Sequence, residues 1–224
     1  MLFTEWSAAR MNMRRAVPVF LMLLFSAPSS LPAQTLAQFG GAGAAPDGEG
    51  NVFMLAGNEA FRTGLSARFN ISRMSDFGLQ IGIDRACDES FFGGGIDFKL
   101  VLLESRAELP VNLALDASFG SLNSDALGRF LFGFGILASG RITTDSRRAI
   151  EPYLSLIVDV EQLERKHKSE RAITCLCPGN DDDTVTDTLV RTGVKLPVSN
   201  EAQIIIEAEL NGRALIGVAF NLVF

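Results

Sequence analysis

Histidine, tyrosine and tryptophan are almost missing from this chain, which has one of each: His167, Tyr153 and Trp6. A single imidazole gives little material for general acid–base catalysis, which most often rests on a histidine held by a partner. His167 lies between Lys166 and Lys168, the setting of a solvated loop residue, so no catalytic role is expected and the chain reads as a non-enzyme. A basic excess is lacking too: the formal net charge is −6 and the pI near 4.9. That argues against a nucleic-acid partner, which needs a cationic face. Cysteines number three, Cys87, Cys175 and Cys177, and none has partners at zinc-site spacing. Asp181-Asp182-Asp183 lacks the spaced ligands and turn glycine of a calcium loop. Gly93-Gly94-Gly95 opens a strand rather than a helix, so it is no phosphate cradle. No metal and no cofactor are expected.

Long apolar runs are also scarce. At 47% hydrophobic and 21% charged residues, the composition is that of an ordinary globular chain, not of a bundle of membrane helices. The one short apolar stretch lies near the start. Arg14 and Arg15 precede Ala16 to Phe25, and a small-residue stretch follows to Leu31-Pro32-Ala33. That order is an export signal over residues 1–33, cut before Gln34, with Met11 or Met13 as a cleaner start. The residue after the cut is not cysteine, so a lipid anchor is not expected. Export places the three cysteines where a disulfide can form. Cys175 and Cys177 stand too close in sequence to bridge easily, so Cys87 with one of them is the expected pair.

Residues 34–50 are rich in glycine and alanine, without periodicity, and read as a flexible N-terminal segment. From residue 51 to 224 the pattern is alternation of period two. Phe61, Thr63, Leu65, Ala67, Phe69 and Ile71 share one face; Arg62, Gly64, Ser66, Arg68, Asn70 and Ser72 share the other. The same phase returns in Phe77–Ile83, Ile96–Leu102, Val111–Phe119, Phe130–Ile136, Leu154–Val160, Val190–Leu196, Ile204–Leu210 and Ile216–Phe224. These are nine strands, and Asn51 to Gly57 supplies a tenth. The expected fold is all-β: an antiparallel up-and-down transmembrane barrel of ten strands, with eight as the alternative. If the C-terminus faces the periplasm, the outward connections are 85–92, 120–128, 164–184 and 211–213. The inward ones are 73–75, 104–110, 140–149 and 197–201.

The chain finishes in Val218-Ala219-Phe220-Asn221-Leu222-Val223-Phe224. A final phenylalanine with apolar residues at every second position before it resembles the C-terminal assembly signal of bacterial outer-membrane β-barrel proteins. The resemblance implies that Phe220, Leu222 and Phe224 are read by the barrel-assembly machinery during insertion. It implies a Gram-negative outer membrane as location and its lipid as surroundings. One departure is the missing tyrosine and tryptophan girdle. Phe61, Phe119, Phe130, Phe220 and Phe224 could take over part of that role.

If the apolar face meets lipid, the other face lines a lumen. It carries Arg62, Arg68, Lys99, Arg129, Arg191 and Lys195 against Asp84, Asp97, Asp116, Asp159, Glu207 and Glu209. In so narrow a barrel these should pair into a polar plug. The function expected is a scaffold presenting outward loops, chiefly 164–184, in a structural or surface-interaction role. The alternatives are a narrow passive, porin-like channel, and a soluble periplasmic lipocalin-like barrel with its apolar stripes turned inward around a ligand. No ligand or protein partner is named by the residues.

Overall fold

The structure, a computed structural model, describes residues 41–43, 48–57, 60–86, 89–106, 110–143, 149–165, 184–211 and 213–224. They form strands β1 Gly48–Gly57, β2 Ala60–Ser72, β3 Ser75–Ala86, β4 Glu89–Leu103, β5 Val111–Asn123 and β6 Leu127–Gly140. There follow β7 Ile142–Thr143, β8 Ala149–Arg165, β9 Thr184–Pro197, β10 Ala202–Asn211 and β11 Arg213–Val223. Each long strand pairs antiparallel with the next, β6 meeting β8 directly past the two-residue β7. β1 then pairs with β11 from Glu49↔Val223 to Gly57↔Leu215. The sheet closes on itself, and the fold is an up-and-down barrel of ten long strands. Closure satisfies the backbone groups that an open sheet would leave at its edges, which is the condition for strands to cross hydrocarbon.

Alternation sets which way each side chain points, because successive Cβ atoms leave opposite faces of a strand. In β6, Phe130, Phe132, Phe134 and Ile136 are exposed while Arg129, Leu131, Gly133 and Gly135 between them are buried. In β11, Ile216, Val218, Phe220, Leu222 and Phe224 are exposed, whereas Leu215, Gly217, Ala219 and Asn221 are buried. The apolar stripes therefore form the outside of the barrel, and the charged face is its inside. A lipocalin-like arrangement, which needs those stripes inward, is not the one this chain adopts. A continuous apolar exterior around a polar interior is the inverse of a water-soluble core and the signature of a transmembrane barrel.

The strands run beyond the periodic segments at several places. β1 begins at Gly48 rather than Asn51, because Glu49 turns inward beside Lys195 and Gly48 leaves space for the Phe224 ring. A Cβ at Gly48 would stand 2.7 Å from that ring, and the Phe224 amide donates to the Gly48 carbonyl at 3.0 Å. β4 runs through Gly93-Gly94-Gly95 from Glu89, so the triplet is strand interior and the connection from β3 shrinks to residues 87 and 88. The glycines are needed there by close approach: a Cβ on Gly94 would sit 2.6 Å from the Gln80 carbonyl oxygen, and one on Gly95 2.8 Å from that of Phe119.

The ends of the barrel differ. At the end where Gly48 and Phe224 lie, called the terminal end below, the connections are 73–74, 104–110, 141–148 and 198–201. At the far end they are 58–59, 87–88, 124–126, 166–183 and 212. The connection after β8 is much the longest. On its flank β9 turns Thr184, Thr186 and Thr188 outward where the other strands carry phenylalanine or isoleucine.

Candidate functional site: the lumen

Inward positions come from every second residue of ten strands, so the lumen is where the chain concentrates its chemistry. Among the described residues it buries six cations: Arg62, Arg68, Lys99, Arg129, Arg191 and Lys195. It buries nine carboxylates: Glu49, Asp76, Asp84, Asp97, Asp116, Asp159, Glu161, Glu207 and Glu209. Glu49, Asp76 and Glu161 are additions to the twelve that alternation singles out. Two of them stand at the margins of periodic segments, where alternation gives no phase. Glu161 shares a face with Asp159 and could have been included on that ground.

Two ionic groups result. Near the terminal end, Arg68 bridges Asp76 and Asp97, and Lys99 reaches the other Asp76 oxygen at 3.0 Å. Lys195 stands 3.5 Å from Glu49 across the β1 side of the lumen. Toward the far end, Arg62 contacts Asp84 at 3.5 Å and Glu209 at 3.4 Å, and Arg191 Nε meets the second Glu209 oxygen at 2.9 Å. Arg129 contacts Asp84 at 3.1 Å and holds Glu161 through both Nε and Nη2, with its guanidinium 5.0 Å from the Phe91 ring centre. Glu209 and Asp84 are each shared by two arginines, so the chain β9–β10–β2–β3–β6–β8 is stitched across the interior. The arginines suit this because a planar guanidinium offers several donors in fixed directions.

Two apolar clusters share the interior with these charges. Ala86, Phe91, Leu122, Leu127, Leu131, Leu163 and Val185 pack together toward the far end. A second cluster includes Phe53, Leu55, Val101, Ala114, Leu137, Ile205, Leu215 and Ala219. Tyr153, the only tyrosine, belongs to that interior cluster and donates its hydroxyl proton to Glu207. It is thus no part of an interface girdle; phenylalanines occupy the exterior instead, Phe61, Phe119, Phe130, Phe220 and Phe224 among them.

Glycines opposite bulky inward side chains make the filling possible. Tyr153 pairs directly with Gly193, Asp97 with Gly78 and Asp159 with Gly133. A Cβ on Gly193 would lie 2.5 Å from the Tyr153 ring carbon and hydroxyl. Gly193→Val is therefore expected to lower the urea midpoint of unfolding, at a cost of about 1–3 kcal/mol for an overpacked interior. An unchanged midpoint would mean that Tyr153 has room to move.

The terminal end holds a cavity of about 480 Å³ lined by Arg141, Glu151, Lys195, Pro197, Ser199 and Gln203, among others. Among the described residues no cluster of histidine, cysteine, aspartate or glutamate could hold a metal ion. His167, Asp181-Asp182-Asp183 and all three cysteines, with their expected disulfide, lie outside the described residues. Phe220, Leu222 and Phe224 stand on the outer face of β11, where Phe220 is paired with Val52 on one side and Ile204 on the other.

No family model matches the chain, and no curated protein matches it in sequence. Solved structures similar to it include the KdgM porin, at 8% identity and a TM-score of 0.40, over 79% of this chain and 99% of that one. LpxR from Salmonella typhimurium is similar at 10% identity and a TM-score of 0.37, over 78% and 81% of the two chains. Neisserial surface protein A is similar at 13% identity and a TM-score of 0.27, over 79% and 94%. By its own strand order, closure and apolar exterior, the chain is a ten-stranded transmembrane β-barrel of the kind found in outer membranes.

Proposed function

We propose that this protein is an exported outer-membrane barrel with a closed lumen, acting as a scaffold that holds its far-end connections, chiefly residues 166–183, at the cell surface. The observation that carries this reading is the filled interior: ion-paired charges alongside two apolar clusters, with side chains seated over glycines. A conducting pore needs a continuous wet path, and the buried, ion-paired side chains of Arg62 and Arg191 stand across the lumen where such a path would run. Export by the residue 1–33 signal and recognition of Phe220, Leu222 and Phe224 by the assembly machinery complete the proposal. The surface role rests on the long polar connection between β8 and β9, next to the outward threonines of β9.

The test is electrical. The mature protein, recovered from outer membranes and shown to be folded by its heat-dependent gel mobility, is placed in planar lipid bilayers. No step conductance is expected in concentrated potassium chloride. Reproducible conductance steps would overturn the closed scaffold in favour of a narrow channel. Recovery from the soluble periplasmic fraction would overturn the membrane location itself.

A further inference from the structure

The terminal-end mouth of the lumen contains a piece of chain that belongs to no strand. Gly41, Ala42 and Gly43 lie inside the barrel, and Ala42 is fully buried within the cluster of Phe53, Val101, Ala114 and Leu137. Three hydrogen bonds hold the segment. The Lys99 ammonium donates to the Gly41 carbonyl at 3.1 Å and to the Gly43 carbonyl at 2.7 Å, and the Ala42 amide donates to Ser139 Oγ at 3.0 Å. Its composition fits the place. A Cβ on Gly41 would overlap the Glu151 carboxylate and stand 3.3 Å from Ser139 Oγ, so a larger residue there needs the Glu151 side chain to swing aside.

The residues around it show what it covers. Asn112 and Ser139 form one inward pair near the mouth; Val101, Ala114 and Leu137 form the next level in, and Lys99 faces Asp116 beyond them. The segment spans these levels, since it touches Ser139 at the mouth and Lys99 deeper in. Lys99 already holds Asp76, so its remaining donors are directed to the two carbonyls. With no side chain larger than a methyl group, the segment is held among the described residues by the Lys99 and Ser139 bonds and by the burial of one alanine. Segments outside the strand ladder that bury little apolar area open locally without global unfolding.

We propose that residues 41–43 form an internal strap that closes the lumen at the terminal end, latched by Lys99 and Ser139 and able to open while the barrel stays folded. Opening would join the deeper lumen to the cavity bordered by Glu151 and Lys195. This goes beyond the scaffold reading and does not depend on it, since a conducting barrel could carry the same strap.

The experiment reads access to the level beneath the strap. In the full mature chain, Cys87, Cys175 and Cys177 are replaced by serine and Ala114→Cys is introduced as a buried reporter. Folded protein in detergent is treated with a small water-soluble methanethiosulfonate. With the native strap the reporter should react at least about tenfold more slowly than a Ser199→Cys control on the exposed β9–β10 turn. Gly41→Val, whose side chain meets the Glu151 carboxylate and crowds the Ser139 latch, should raise the reporter's rate about tenfold or more while the heat-dependent gel shift is retained. Lys99→Met, which removes both carbonyl bonds, should do the same and decides the matter if Gly41→Val fails to fold. Equal reporter rates in the native and displaced chains would overturn the strap. So would a reporter in the native chain as reactive as the exposed control.

Discussion

Phe134→Arg should destabilise the folded barrel in lipid by about 2–4 kcal/mol, the effect of a cation held near the middle of the hydrocarbon band. Phe134 lies inside the exposed β6 series of Phe130, Phe132, Phe134 and Ile136, and its strand neighbours Ala117 and Val158 are also on the outer face. The arginine would have no lumen partner to reach and would be too far from either rim to extend into water cheaply. Thr184→Arg, on the outer face at the far-end margin of β9, serves as the control and should change stability by no more than about 1 kcal/mol. Urea unfolding from lipid vesicles, read by gel mobility, compares the two. In a barrel that lived in water the difference would vanish, because replacing an exposed phenylalanine with arginine would cost little. Equal midpoints for the two variants would therefore count against a membrane-facing exterior.

The second large effect is expected inside. Arg129→Met leaves Glu161 without the guanidinium that grips both of its oxygens and takes one of two arginines from Asp84. Removing one partner of a buried pair costs about 3–5 kcal/mol, mostly because the other charge stays desolvated. Adding Glu161→Gln to Arg129→Met should restore half or more of the loss, since the stranded charge is then gone. The same urea titration tests both. A single variant as stable as the parent would mean that water already reaches Glu161, which is the condition for a channel. The stability measurement and the conductance measurement thus probe one property of the lumen by independent routes.

What could be read in advance followed from what alternation encodes. A strict period of two assigns each residue to a face, so Phe130-to-Ile136 and Ile216-to-Phe224 could be placed outside, and the intervening residues inside, from their phase alone. The register between strands, and hence which arginine meets which acid, is not in that pattern. That Arg62 serves both Asp84 and Glu209 depends on β3 lying beside β2 and on β10 facing it across the lumen, with Arg62 and Glu209 147 residues apart in sequence. Glycine was the other source of error. By propensity a glycine triplet weakens a strand, yet Gly93-Gly94-Gly95 lies in the middle of β4 because the flanking backbones come too close for any side chain. Residues 41–43 were hidden for a related reason. A segment of glycine and alanine has no face to show, and its lodging inside the barrel is decided by Lys99 and Ser139, which lie in distant strands.

The seam between β1 and β11 carries a consequence for biogenesis. Its two sides are the first and last strands of the barrel, paired over nine residues from Glu49↔Val223 to Gly57↔Leu215. Until β11 is in place, β1 has only β2 beside it, and its other row of amides and carbonyls is unclaimed. Val52 and Met54 flank that row on the outer face, so the unfinished sheet is an apolar template open to any passing strand. Contacts that span nearly the whole chain are also the slowest to form. Each new molecule must therefore cross an interval in which its most adhesive edge belongs to the oldest strand of its barrel, β1.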